Sequence, residues 1–193
     1  AALLVLILSA CKGGDNDPQL KGQFVGAPVV GLTYSCGNGL QATSGLTNEQ
    51  GAFFYRASQA CVFSVGNISL GAPTAIPCNG NIVTQDIARV VRSATAAPSV
   101  LNIAQFLQSL NDASLPGKLF ISSAHRSALA NAPTTVLTNS NGAISQSELL
   151  QSLALTGKAL VSPSQARNSL DQQIASGSVD LSCGAIAPGS PAV

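Results

Sequence analysis

The sequence contains one histidine, and its surroundings bear on whether the chain is an enzyme. His125 lies in the segment Ser122-Ser123-Ala124-His125-Arg126, so candidate nucleophilic hydroxyls are close to it in sequence. A serine hydrolase also needs an acidic residue that orients the histidine, and an α/β-hydrolase has a Gly-x-Ser-x-Gly turn; neither feature is found around His125. We therefore interpret His125 as a polar residue on a helix surface and predict no catalytic residues.

A second group of polar residues matches part of a calcium-binding loop. In residues 137–148, LTNSNGAISQSE, Asn139 and Asn141 occupy oxygen-ligand positions and Glu148 occupies the position of the bidentate carboxylate. The first ligand position, an aspartate in such loops, is Leu137. An Asn-Gly turn that leads into a capped helix explains the same residues. We therefore predict no metal and no cofactor, with Asn139, Asn141 and Glu148 as the calcium candidate.

Four cysteines form an even set that suits disulfide bonds in an oxidising compartment: Cys36, Cys61, Cys78 and Cys183. They allow three pairings. The first two lie on strand-like segments of one small region, and the last two lie at the ends of a helical region, so we predict the pairs 36–61 and 78–183. A zinc site is the alternative, but no two cysteines have two-residue spacing and the histidine is distant in sequence.

The fifth cysteine follows a short apolar segment. Residues 1–10, AALLVLILSA, are too few to cross a bilayer as a helix, which takes about 20 residues, but they suit the core of a signal peptide. The segment ends in Leu8-Ser9-Ala10-Cys11, which resembles the bacterial lipobox. The resemblance implies that Cys11 carries diacylglycerol and an amide-linked chain such as palmitate. It also leads us to expect that the basic region of the leader precedes residue 1.

This resemblance implies a location for the protein. A lipoprotein of this kind is anchored to a membrane outside the cytoplasm, and Lys12 stands where an inner-membrane retention signal places aspartate. We therefore expect a lipid-anchored protein of the outer membrane that faces either the periplasm or the cell surface. A buried apolar strand with a free thiol is the alternative explanation of residues 1–11.

Charged residues are scarce and balanced. They make up 9% of the chain, against about 25% in soluble domains. Nine basic and eight acidic residues leave a formal charge of +1, with no run of either sign to bind nucleic acid. A surface built mainly from serine, threonine, asparagine and glutamine suits an exported protein that contacts other proteins or glycans.

The first part of the chain has the pattern of β-strands. Residues 11–21 are rich in glycine, aspartate and asparagine and are predicted to be a lipidated tether. From residue 22 to residue 77 apolar residues alternate with polar ones; Tyr34 and Cys36 share a face, and Gly37-Asn38-Gly39 marks a turn. We predict a small antiparallel β module here.

The strings GAPVVGLTYSCGNGLQATSGLTNEQGAFFY and CVFSVGNISLG resemble transthyretin-like or carboxypeptidase-regulatory-like modules of bacterial surface lipoproteins. The matching motifs are residues 28–31, 47–53 and 62–66. Residues 102–112, NIAQFLQSLND, resemble a segment that follows the module in the same proteins, although the acidic stretch found there is replaced by Ala-Ser-Leu-Pro. The resemblance implies a β-sandwich-like module and a surface or adhesion context, and fold alone does not imply activity.

Residues 78–183 have helical periodicity and are predicted to form a helical domain, followed by a flexible tail over residues 184–193. One apolar face runs from Ile87 to residue 94, and a stronger one follows Ser99, which is a candidate cap. Further helices are predicted to begin at Ser145 and Ser162, each with a capping box, and the last to close at Gly177. The predicted class is α+β, with the β-sandwich-like module followed by the helical domain.

Two classes of function follow from these observations. The preferred one is a non-catalytic envelope lipoprotein that acts in surface binding, adhesion or assembly, with a protein or glycan partner or its own copies. The alternative is an enzyme, or an enzyme accessory, that acts on cell-wall or extracellular polymers.

Overall fold

The computed structural model describes residues 18–139 and 142–182. The strands are β1 (Gln19–Phe24), β2 (Val29–Val30), β3 (Thr33–Cys36), β4 (Thr43–Leu46), β5 (Ala52–Arg56), β6 (Ala60–Val65), β7 (Ile68–Ser69), β8 (Thr74–Ala75), β9 (Asn81–Ile82), β10 (Leu119–Phe120), β11 (Thr135–Val136), β12 (Thr138–Asn139) and β13 (Gly142–Ala143). The helices are α1 (Thr84–Ile87), α2 (Pro98–Ser109), α3 (Ser123–Leu129), α4 (Gln146–Leu153) and α5 (Pro163–Ala175).

Two sheets pack against each other, and most of their strands lie within residues 19–75. One has the order β5-β1-β9, and the other has the order β11-β7-β6-β3-β4 with β8 paired to β6. Within residues 19–75 the strand pairs are all antiparallel. The predicted antiparallel β module is therefore confirmed, as is the α+β class.

Aromatic rings fill the space between the two sheets. Phe53 of β5 contacts Tyr34 of β3, with ring centroids 5.8 Å apart, and Phe63 of β6, at 5.1 Å. Phe24 of β1 contacts Phe63 at 6.1 Å. Gly22 is paired with Phe53 across the strands, and a Cβ atom there would lie 2.3 Å from the phenylalanine ring. The missing side chain at Gly22 therefore lets Phe53 reach the opposite sheet.

The period-two pattern is confirmed on β3 and extends further upstream than predicted. Tyr34 and Cys36 are buried, whereas Ser35 between them is exposed. Residues 19–21, predicted to belong to the tether, instead form the start of β1 and pair with β5. These residues form a strand because their backbone groups pair with β5 from Gln19 onward. The side chains further along β1 are buried and hold the strand in place.

The helical part of the chain shares a hydrophobic core with the β part. Apolar side chains of α2 belong to the same buried cluster as those of both sheets: Ile103, Phe106, Leu107 and Leu110. The other side of α2 packs on α5. Strands β9, β10 and β11 lie between residues 81 and 136 and pair in parallel with β1, β2 and β7. None of the helices within residues 18–139 and 142–182 has the length and apolar character needed to cross a membrane.

Two helix starts and one helix end are confirmed. Ser145 and Ser162 are the N-caps of α4 and α5, and each forms the predicted capping box with the residue three positions later. Gly177 follows the end of α5 with a φ of 71°, a left-handed conformation that favours glycine. These features are correctly predicted because each depends on residues within one helical turn.

Two other helix predictions are wrong. Helix α2 begins at Pro98 with Ala97 as its N-cap, so Ser99 lies inside the helix; proline suits the first helical position because its missing N–H has no partner there anyway. The helix predicted from Ile87 to residue 94 does not form; the short helix α1 ends at Ile87, and Arg89 has a φ of 57°. The chain turns there because the side chains of Asp86 and Arg92 pair inside the protein.

Candidate binding cleft

An open cleft of about 580 Å³ lies where β3 ends and β6 begins. Three chain segments form its walls: residues 35–41, residues 56–62 and Pro73. Its polar side chains offer hydroxyl, amide and guanidinium groups: Ser35, Asn38, Gln41, Arg56, Ser58 and Gln59. These residues were not predicted from the sequence as a site, because only the pairing of β3 with β6 brings the segments together.

A disulfide bond joins the two strands whose ends form the cleft. Cys36 and Cys61 are opposite each other in the β3–β6 register, are fully buried and are bonded, with Cα atoms 4.0 Å apart. Gly37 follows with a φ of 69°, and a Cβ atom there would lie 2.4 Å from the Gln59 amide nitrogen. The chain therefore turns sharply at Gly37 and lets Gln59 pack directly on the backbone.

Gln59 fixes the loop that forms the rim. Its Nε2 atom donates to the Gln41 carbonyl at 2.7 Å, and its Oε1 atom accepts from the Arg56 amide at 3.1 Å. The same Oε1 atom accepts from Thr43 Oγ1 at 3.5 Å. One side chain thus joins the turn after β5 to the loop between β3 and β4. The rim is held in place before any ligand arrives.

The chemistry of the cleft suits a polar ligand. Ser58 and Asn38 are exposed at its surface, and Arg56 is half-buried beside them. Amides and hydroxyls donate to and accept from sugar hydroxyl groups, and a guanidinium binds phosphate or carboxylate oxygens with two parallel hydrogen bonds. The arrangement therefore fits a ligand that carries hydroxyl or anionic oxygen groups.

The predicted cysteine pairs fall partly within the described residues. The bond between Cys36 and Cys61 is confirmed. Cys78 is also disulfide-bonded, whereas its predicted partner Cys183 and the lipidation candidate Cys11 lie outside the described residues.

The residues of the calcium candidate do not all lie within the described part of the chain. Asn139 ends β12, which pairs antiparallel with β13, and Asn141 lies outside the described residues. The Glu148 carboxylate accepts hydrogen bonds from the Ser145 hydroxyl and amide, both at 2.7 Å. These two bonds, the hydroxyl first, lower the pKa of Glu148. Glu148 therefore completes the capping box of α4, in which Ser145 is the N-cap.

His125 is buried, so the prediction that it lies on a helix surface is wrong. The residue is 9% exposed, and its backbone amide donates to the Ser122 hydroxyl, which caps α3. The Nδ1 atom has no hydrogen-bond partner among the described residues. Burial, followed by the nearby charge of Lys158, lowers the pKa of His125, while Asp112 acts in the opposite direction.

We expect acid to destabilise the protein through His125. Because its pKa is lowered in the folded state, the unfolded chain takes up the proton first as the pH falls below 6.5. The free energy of unfolding, measured by urea titration, should therefore be lower at pH 5.5 than at pH 7.5. As the chain has one histidine, the His125→Gln variant should lose this difference; an unchanged difference would assign it to other groups.

A buried ion pair lies beside β9 and was not predicted. Arg92 Nη2 is 2.7 Å from Asp86 Oδ2, and both side chains are at most 1% exposed. Arg92 also donates to the backbone carbonyls of Asn81, at 2.7 Å, and Asp180. The sequence signal was two opposite charges six residues apart in an apolar stretch. The pair is far from the cleft residues in sequence and binds only backbone and side chains of the fold, so we interpret it as structural.

Comparisons with known proteins find no similar protein: no family model matches the chain, and no curated protein or solved structure matches it either. The resemblance of residues 28–66 to transthyretin-like modules therefore stays a prediction.

Proposed function

We propose that the protein is a lipid-anchored component of the bacterial envelope that acts by binding rather than by catalysis. In this proposal Cys11 carries the lipid, and the cleft where β3 ends and β6 begins holds the ligand. The location, the outer membrane, follows from the lipobox resemblance and from Lys12. The ligand class follows from the groups in the cleft.

The observation that carries the binding role is the rigid construction of the cleft. A disulfide bond joins the two strands whose ends form the cleft, and Gln59 holds its rim with hydrogen bonds to two separate segments. Ordering a binding site before the ligand arrives reduces the entropy lost on binding. A preformed polar cleft of this kind supports recognition of a hydroxyl-rich or phosphate-bearing molecule of the envelope.

A variant that fills the cleft tests this proposal. Ser35 is exposed on β3 and lines the cleft, so Ser35→Tyr should block it while keeping a residue that suits a strand. In a chain that begins at Lys12 and cannot be acylated, we expect this change to weaken co-sedimentation with purified envelope fragments by about tenfold, which corresponds to about 1.4 kcal/mol.

The matched control is Val91→Tyr, because Val91 is 69% exposed and lies outside the cleft. This variant should bind envelope fragments as the unmodified chain does. Equal binding by the Ser35→Tyr and Val91→Tyr variants would show that the cleft is not the binding site.

A further inference from the structure

We propose that the end of the β-sandwich that carries the cleft rests on the lipid bilayer, with Leu40 inserted among the lipid headgroups and the cleft open to their phosphates. This inference depends on the proposed lipid anchor at Cys11, and it names the ligand of the cleft as the membrane surface itself. We call this end, formed by Gln19, residues 37–43 and residues 56–60, the anchor end.

The strand register places these segments together. Gln19, the first residue of β1, pairs with Arg56, the last residue of β5. The turn after Arg56 leads into β6, whose start pairs with the end of β3, and the end of β3 pairs with the start of β4. The entry point of the chain and the rim of the cleft are therefore at the same end of the sandwich.

The length of the tether decides which end faces the membrane. Eight residue steps separate Cys11 from Gln19, and a fully extended chain of that length spans at most about 29 Å. A compact domain of the size of residues 18–182 has a radius of gyration of about 15 Å and is therefore about 40 Å across. The tether is too short to reach around the domain, so a lipid at Cys11 holds the anchor end nearest the bilayer.

Leu40 has the exposure expected of a residue that inserts into a membrane surface. Its side chain is 106% exposed, more than any other large apolar side chain of the described residues. It is carried by a short helical turn, Gly39–Gln41, that Gln59 ties to the rest of the fold. An apolar side chain on a fixed projection can enter the headgroup region without any rearrangement of the protein.

The charges near the anchor end are few. The anchor end contains one charged residue, Arg56; Lys21 lies two positions after Gln19 on β1, and the tether before Gln19 contains Lys12, Asp15 and Asp17, which together make three basic and two acidic residues. Basic side chains close to an anionic bilayer are attracted to it. Arg56 lines the cleft together with Asn38 and Gln41, which flank the projecting Leu40.

The opposite end offers a matched control residue. Leu155 lies in a second short helical turn, Ala154–Thr156, and is 53% exposed. That turn contacts α3, and the α3 residue Leu129 packs on Gly66. Gly66 follows the far end of β6, which runs away from the cleft. Leu155 therefore resembles Leu40 in type and local structure but lies away from the anchor end.

Tryptophan fluorescence tests the inference, because the chain contains no tryptophan. Leu40→Trp and Leu155→Trp are made separately in residues 1–193 preceded by the basic region of a lipoprotein leader, and the acylated products are reconstituted into vesicles of phosphatidylethanolamine and phosphatidylglycerol. Some of the lipids are brominated near the headgroup. We expect the Leu40→Trp variant to show blue-shifted emission and at least about twofold quenching by the brominated lipid. The Leu155→Trp variant should show neither.

Mass spectrometry of each reconstituted product separates the possible failures. If Cys11 is acylated and only the Leu40→Trp variant is quenched, the inference is supported. If Cys11 is acylated but the two variants are quenched equally or not at all, the inference is wrong and the proposed anchor stands. If Cys11 carries no lipid, both the anchor and the inference are wrong. Both leucines are exposed, so neither change removes a core contact.

Discussion

The Arg92→Met variant is expected to lose about 3 to 5 kcal/mol of the free energy of unfolding, because it leaves the Asp86 carboxylate buried without its cation. The same change removes hydrogen bonds from the guanidinium to the backbone carbonyls of Asn81 and Asp180. Urea denaturation followed by far-UV circular dichroism measures the loss. The double variant Asp86→Leu/Arg92→Met should recover much of it, since no charge then remains buried.

Arg167 provides the control for this prediction. Its ion pair with Asp171 spans 3.6 Å, and the two side chains are 55% and 49% exposed. Solvent screens such a pair, so Arg167→Met should cost no more than about 0.5 kcal/mol. If the two arginine variants lost similar amounts of stability, the burial of the Asp86–Arg92 pair would not be what makes it important.

Removal of the bond between Cys36 and Cys61 has the second largest expected effect. The bond has a sequence separation of 25, and in the chain-entropy model its restriction of the unfolded state contributes about 3.5 kcal/mol. The variant Cys36→Ala/Cys61→Ala should therefore lose about this much free energy of unfolding and should unfold at a lower urea concentration. Its m-value should increase, because the unfolded chain becomes more extended.

The control is Ser35→Ala, next to Cys36 on β3 but exposed. It keeps the covalent bond and should change the stability by no more than about 0.5 kcal/mol. A loss below about 1 kcal/mol in the double cysteine variant would mean that the unfolded chain is already restricted in this region.

The features predicted correctly from the sequence depend on neighbouring residues. Two helix starts are indicated by capping boxes that each span four residues, Ser145 with Glu148 and Ser162 with Gln165. The alternation along β3 predicts which side chains are buried, and the similar setting of Cys36 and Cys61 on two strands predicts their bond. Local rules of capping and periodicity hold here because tertiary contacts act in the same direction.

The features that were missed depend on contacts between distant parts of the chain. The helix expected after Ile87 is interrupted because Arg92 turns inward to Asp86 and to the distant Asp180 carbonyl. His125 is buried because other segments cover α3. The cleft is made of three segments whose proximity depends on strand pairing. Periodicity within one segment carries no information on any of these contacts.

The parallel pairing of β9, β10 and β11 with β1, β2 and β7 has a consequence for the order in which the molecule is completed. Three sheets that begin with strands within residues 19–69 are completed by strands that are synthesised later, between residues 81 and 136. Until those strands arrive, the early sheet edges are unpaired and open to association with other chains. We therefore expect a nascent or clipped chain that ends near residue 80 to aggregate. The three sheets are completed only when residues 81–136 have been synthesised.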